Sequence, residues 1–233
     1  ENKKVIEAEN GMVVLSAQAE DSLYQSLVKN SGVIQAQGIK ESGGRIILTA
    51  GIEGKVLQEG EIDASSAFDQ GGVATVEGER IRLAENSVID VTGGSGGGDI
   101  LVGGDWQGGA NEELRVLDNP YEMYQASEVM MNENALIDAS AVLDGDGGTV
   151  VLWSDILNTN SVTSVLGEIY AEGGKSGGNG GKVETSGYFL DINHARVSTL
   201  GPYGKTGDWL LDPGHISITT TGTDENDGLP GSI

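Results

Sequence analysis

Cysteine is absent from this chain of 233 residues, histidine occurs twice and proline four times. Without cysteine the fold uses neither disulfides nor thiolate chemistry, and the redox compartment is left open. The two histidines, His194 and His215, stand alone without neighbours at metal-ligand spacing, so both read as structural. Aromatic residues make up only 5% of the chain, which excludes a core built on large rings although 37% of residues are hydrophobic. Basic residues are also scarce. Thirteen Lys and Arg against 36 Asp and Glu give a formal charge of −23, which repels nucleic acid and anionic membrane surfaces. No apolar run approaches the ~18 residues needed to cross a bilayer as a helix. The opening ENKKVIEAENG has no apolar signal region, so any export signal is expected upstream.

Glycine, by contrast, is abundant at 38 residues, with no Gly-X-Y period that would indicate collagen. Its placement is informative. Gly-Gly steps or their equivalents introduce seven short apolar alternations: NGMVVLSA, GGRIILTA, GGVATVEG, GGDILVGG, GGTVVLWS, GGKVETSG and TGDWLLDP. Counting the first residue as zero, position +3 holds Val13, Ile46, Ala74, Ile100, Val150, Val183 and Trp209. Position +5 holds Leu15, Leu48, Val76, Val102, Leu152, Thr185 and Leu211, and thirteen of the fourteen slots are apolar. Position +2 is mostly polar. A period of two therefore places +3 and +5, Trp209 and Leu211 included, inside and +2 outside. Trp153, at +6, is expected outside or at a corner. Asp212 and Pro213 are read as the turn out of the last strand.

A second column is centred on Ile34, Ile62, Ile89, Ile137, Ile169 and Val197, at intervals of 28, 27, 48, 32 and 28 residues. A third group six residues earlier, Val28, Val56, Leu83 and Met131, fails at Thr163 and Asp191. Three short strands per ~28 residues predict an all-β parallel β-helix of roughly seven coils, with glycines turning its corners at positive φ. The domain is expected over 1–221, with 222–233 a linker or frayed end. The long interval carries an insertion at about 107–131, of which 111–126 reads as a loop projecting from the rod.

Several blocks carry a resemblance: AQAEDSLYQSLVKNSGVIQAQG, DILVGGDWQG, NALIDASAVLDGDGGTVVLWSD, GEIYAEGGKSGGNGGKVETSG and GKTGDWLLDPGHISI. In this order, over roughly 11–218, they resemble the filamentous-haemagglutinin-like exoproteins of Gram-negative bacteria, the secreted partners of two-partner secretion systems. The resemblance implies a right-handed parallel β-helix and export through an outer-membrane transporter partner. It also implies an extracellular location, at the cell surface or released, and a role in adhesion, aggregation or biofilm formation. The family's amino-terminal secretion domain with its Asn-rich motifs is missing here, so the chain reads as shaft, a stiff spacer presenting adhesive or effector regions.

Sites are sparse in this reading. GGSGG at 93–97 matches a nucleophile elbow with Ser95, but it lies in a glycine turn between β segments. GKS at 174–176 mimics a phosphate loop without the earlier glycine or a following helix. No enzyme is expected, although a glycan-binding or glycan-processing β-helix is the alternative. Asp63, Asp90 and Asp138 form an outward column that reads as a solvated stripe and supplies the calcium candidates. Arg45 and Lys182 lie too far apart along the rod to serve one acid site. Trp106, Tyr121, Met123 and Tyr124 make the candidate contact patch for a glycan or protein receptor. Self-association through unpaired terminal coils is a further candidate.

Overall fold

The computed structural model describes residues 1–18, 26–38, 43–117 and 122–214. Expectations placed on Tyr121, His215 and 222–233 lie outside these residues. The chain winds through three parallel sheets in turn. The first holds β1 (Val5–Glu7), β4 (Val33–Gln35), β7 (Glu61–Asp63), β10 (Val88–Asp90), β13 (Leu136–Asp138), β16 (Glu168–Tyr170) and β19 (Arg196–Ser198). The second holds β2 (Met12–Ser16), β5 (Arg45–Thr49), β8 (Val73–Glu77), β11 (Asp99–Val102), β14 (Thr149–Trp153), β17 (Lys182–Gly187) and β20 (Asp208–Pro213). The third holds β3 (Leu27–Asn30), β6 (Lys55–Gln58), β9 (Arg80–Leu83), β12 (Glu128–Met131), β15 (Val162–Val165) and β18 (Phe189–Asp191). Each strand pairs with the strand three places on in the chain. This is a parallel β-helix, as the repeat predicts.

The register reproduces two of the three column groups residue for residue. Ile34, Ile62, Ile89, Ile137, Ile169 and Val197 are aligned neighbours in the first sheet, and Ile6 begins the column. Both apolar columns of the second sheet hold, from Val13 to Trp209 and from Leu15 to Leu211. Their side chains meet in one continuous core between the three sheets. Each fully buried Ile or Leu there contributes roughly 1.5–3 kcal/mol by leaving water, which a lone coil could not secure. The polar member of the columns, Thr185, is buried and accepts from the Trp209 indole Nε1 at 3.1 Å. Trp209 and Leu211 keep the inward register but are 36% and 42% exposed, contrary to expectation. β20 is the last described strand of its sheet, and a core column buries its end member only when another coil lies beyond it. Asp212 and Pro213 are the last two residues of that strand.

The Gly-Gly steps serve close approach, not positive φ. None of the glycines in the steps at 43–44, 71–72, 97–98, 147–148 and 180–181 lies in the left-handed region. At Gly147 an added Cβ would stand 2.3 Å from the Ala171 carbonyl oxygen, and at Gly148 1.8 Å from that of Gly98. The corner thus packs backbone on backbone between successive coils, and only glycine leaves room.

The third column needs correction. Val28 and Val56 are aligned with Ile81, Val129, Thr163 and Leu190, two residues before Leu83 and Met131. The corners at 84–87 and 132–135 are two residues longer than those at 31–32 and 59–60, and they use Asn86 and Asn134 at φ 63° and 59°. Thr163 therefore sits in the column after all. Its Oγ1 donates to the Ser186 carbonyl at 2.7 Å. Asn30, Gln58, Leu83 and Met131 form the neighbouring column, which opens with an amide ladder from Asn2 through Asn30 to Gln58, each link 2.9 Å.

Candidate functional site

The insertion does not project. After β11 the chain leaves the second sheet at Gly103 (φ 79°), makes a tight turn over Trp106–Gly109 in which Gln107, Gly108 and Gly109 are left-handed (φ 52°, 67° and 70°), and rejoins the β-helix at Ala126 beside Ser154. Among the described residues in between, Trp106, Val116, Leu117 and Met123 lie against the outer face of the second sheet, while 110–114 are exposed. That face is apolar at this height: Leu101 and Val151 are fully buried and Trp153 is 2% exposed. Together with Leu117 they form a second small core, against which Trp106, Val116, Met123 and Ile156 pack. Burying this patch is the physical reason for the docking.

Two buried carboxylates fasten the flap. Asp105 accepts from the backbone N–H of Trp106 (2.6 Å), Val116 (2.8 Å) and Leu117 (3.1 Å), tying the start of the insertion to its middle. Glu184, on β17, accepts from the Gln107 N–H at 2.8 Å and from the Ser186 hydroxyl at 2.8 Å. Gln107 has φ 52°, an uncommon conformation for a residue with a Cβ, and Glu184 helps hold it there. Gln125 bridges flap and sheet, accepting from Trp153 Nε1 and donating to the Gly108 carbonyl, both at 3.2 Å. Arg115 donates to the Gly109 carbonyl at 2.6 Å and pairs with Glu122 at 3.0 Å. A cavity of about 240 Å³ remains between Asp105, Gly109, Arg115 and Met123.

Of the four contact candidates, Trp106 and Met123 are half-buried in this small core. The Lys182 ammonium stands 5.9 Å over the Trp106 ring. Tyr124 is 45% exposed at the rim, and Tyr121 lies outside the described residues. Where polar outward residues are due, GGDILV and GGTVVLW carry Leu101, Val151 and Trp153 on consecutive coils; Val14 and Ile47 fill the same slot on β2 and β5 without being buried, so the pattern points to a cover only together with the insertion that follows Val102.

The predicted column is aligned, with Asp63, Asp90 and Asp138 on β7, β10 and β13, but it is not a solvated stripe: Asp63 is 5% exposed and the other two are half-buried. Each Oδ1 caps the backbone N–H two residues on, at Ser65 (3.0 Å), Thr92 (2.7 Å) and Ser140 (2.9 Å). Asp63 also accepts from the Gln37 amide. Among the described residues no three acidic or histidine side chains converge as a metal-binding group. Burial, opposed by these hydrogen bonds, pushes Asp90 and Asp138 above the usual aspartate range, with Asp63 raising Asp90 and Asp90 raising Asp138. Burial likewise raises Glu61, Asp99 and Glu184. For Glu184 the charges of Asp212 and Asp105 add to the rise.

A carboxyl whose pKa is higher folded than unfolded binds more protons in the native state between the two values, so stability falls as pH rises through that window. Five carboxyls act in this direction. Glu59 is lowered by its bond to Lys29 and opposes them, but about a third of its side chain meets solvent, which screens it. The urea midpoint is therefore expected to rise as pH is lowered from about 8 toward 5, above the ordinary carboxyl pKa values, with part of the gain lost in Glu184→Gln. A flat or falling midpoint over that range would refute the assignment.

Ser95 lies exposed in a bend between bridges at Gly93 and Gly96, with no helix behind it. Arg45 and Lys182 stand on β5 and β17, four strand spacings apart or roughly 19 Å along the rod. His194 is exposed.

No protein-family model and no curated protein matches the sequence. Among solved structures the chain is similar to the crystal structure of the HMW1 secretion domain from Haemophilus influenzae, at 25% identity with a TM-score of 0.55. The match covers 90% of this chain and 48% of that one, so the chain spans about half the length of its neighbour. The molecule is a parallel β-helix similar, over nearly all its length, to part of a bacterial secretion domain.

Proposed function

We propose that the chain is a rod-forming segment of a large secreted bacterial surface protein, exported with an outer-membrane transporter partner, that holds adhesive or effector regions away from the cell. The observation that carries this reading is the uninterrupted stack of parallel coils, whose columns hold apolar side chains and whose corners are backbone on backbone. Such a stack is stiff and is extended by adding coils. Its likeness to an exported domain supports the route. Adhesion, aggregation or biofilm formation would then be properties of the assembled surface protein.

A second reading is favoured by one observation. The solved neighbour is a secretion domain, so these coils would themselves be part of what the transporter recognises. In-frame removal of residues 55–187 from the parent protein, expressed with its transporter, separates the two. Continued export of a shortened rod with weakened attachment is expected for a shaft. Loss of export with a folded, cell-retained product would transfer the segment to the secretion domain.

A further inference from the structure

The outer face of the third sheet differs in charge from the rest of the molecule. Outward positions on β3, β6 and β9 are Leu27 and Lys29, Lys55 and Leu57, Arg80 and Arg82. Four of the chain's thirteen basic residues thus share three adjacent strands with no acidic side chain pointing out among them. Lys29 is neutralised by Glu59 at 2.9 Å. Lys55, Arg80 and Arg82 make no ion pair among the described residues, and Lys55 stands directly opposite Arg80 on the neighbouring strand. Like charges opposite one another destabilise a sheet. Acidic residues appear only around the patch: Glu128 on the next rung beyond Arg80, and Glu59 and Glu85 in a shallow groove beside Arg82.

The first sheet presents the converse. Its outer face carries the half-buried Glu61, Asp90 and Asp138 on three successive rungs, flanked by Val88 and Leu136, while Asp63 beside Glu61 is buried and taken up by Ser65 and Gln37. Burial first, and the neighbouring carboxylates after it, raise the protonation tendency of Glu61, Asp90 and Asp138; an approaching cation would offset the repulsive part. Neighbouring rungs of both sheets repeat at ~4.8 Å, so Lys55 and Arg80 on adjacent rungs match Asp90 and Asp138 on adjacent rungs in spacing as well as sign.

We propose that two copies of this chain pair side by side, the Lys55, Arg80 and Arg82 face of one rod lying on the Glu61, Asp90 and Asp138 face of the next. This rests on the fold and the two faces, independently of the export reading. Because the two faces differ, the contact is heterologous. Every rod keeps one face of each kind open, and pairing continues into lateral arrays. The patch is small beside a standard interface, so the contact is weak and emerges at high local concentration.

Sedimentation velocity of the purified chain tests it. At an ionic strength of about 0.1 M the remote charges are screened beyond ~10 Å while contact pairs are not. There the weight-average mass is expected to grow with protein concentration, and at about 1 M salt, where screening reaches ~3 Å, to return to the monomer. The variants Lys55→Glu/Arg80→Glu/Arg82→Glu and Asp90→Asn/Asp138→Asn, each checked for native circular dichroism, should lose at least about fivefold in association. Each keeps one intact face, so mixing the two should restore one-to-one pairing. A wild type that stays monomeric throughout, or association indifferent to the triple variant, overturns the proposal. So does a monomer that binds dextran sulfate through the same three cations, which would make the face a polyanion site.

Discussion

Trp153→Ala is expected to destabilise the molecule by about 3–5 kcal/mol and to release the flap. Its indole is 2% exposed although it points away from the main core. The flap backbone lies directly on it: an added Cβ at Gly104 would stand 2.5 Å from Cδ1, and one at Gly108 2.6 Å from Cζ2. Removing the ring leaves a void on the sheet side and frees Gln125, whose side-chain oxygen accepts from the indole N–H. Leu117 and Met123 lose their packing surface at the same time. Arg115, whose side chain is 13% exposed in the docked flap, reports the event. Trypsin should cut at Arg115 in the variant much faster than in the wild type, with the urea midpoint lowered. Unchanged cleavage together with an unchanged midpoint would show that the carboxylate fastenings suffice without the ring.

Gly148→Ala is expected to cost about 4 kcal/mol or more, at the extreme of single substitutions. The new methyl would stand 1.8 Å from the Gly98 carbonyl oxygen and 2.9 Å from the Gly97 carbonyl carbon, both backbone atoms of the preceding coil. No side-chain rotation relieves such a contact, so the coils must separate locally. That separation would break the Thr149 N–H bond to the Gly98 carbonyl, now 3.1 Å. Because a solenoid transmits damage mainly to neighbouring repeats, hydrogen exchange should quicken first in β11, β14 and β17 and least in β2 and β5. A loss below about 1 kcal/mol, or protection falling uniformly, would mean that the corner accommodates a methyl and that the glycine pairs serve another purpose.

Much of the architecture was legible because a parallel β-helix writes its geometry into the chain as period and column. Aligned strands one coil apart demand like residues at like positions, so the Ile column and the two columns after each Gly-Gly step could be read without coordinates. Where the corner length changed by two residues, counting backwards from Ile89 and Ile137 gave Leu83 and Met131 in place of Ile81 and Val129. Counting assumes equal corners, and the left-handed turns at Asn86 and Asn134 violate that assumption. Trp209 and Leu211 were misjudged for a related reason: register is local, whereas burial requires a further coil.

The contact patch was less legible. Trp106, Met123 and Tyr124 were grouped by nearness in sequence, and only the tertiary structure separates the two that pack on the sheet from the one that stays at the rim. Glu184 went unnoticed as a site residue because its partner, the Gln107 N–H, is 77 positions away.

By itself the sequence determined the strand period, the inward columns, the carboxylate ladder and the strong negative charge, since each follows from residues one coil apart or from a sum over the chain. Tertiary structure alone decided that the insertion lies down as a flap, that Trp153 is buried outside the main core, and that cations and carboxylates occupy different faces of the rod. Those outcomes depend on which surfaces meet across unrelated positions, and such meetings leave no period in the chain.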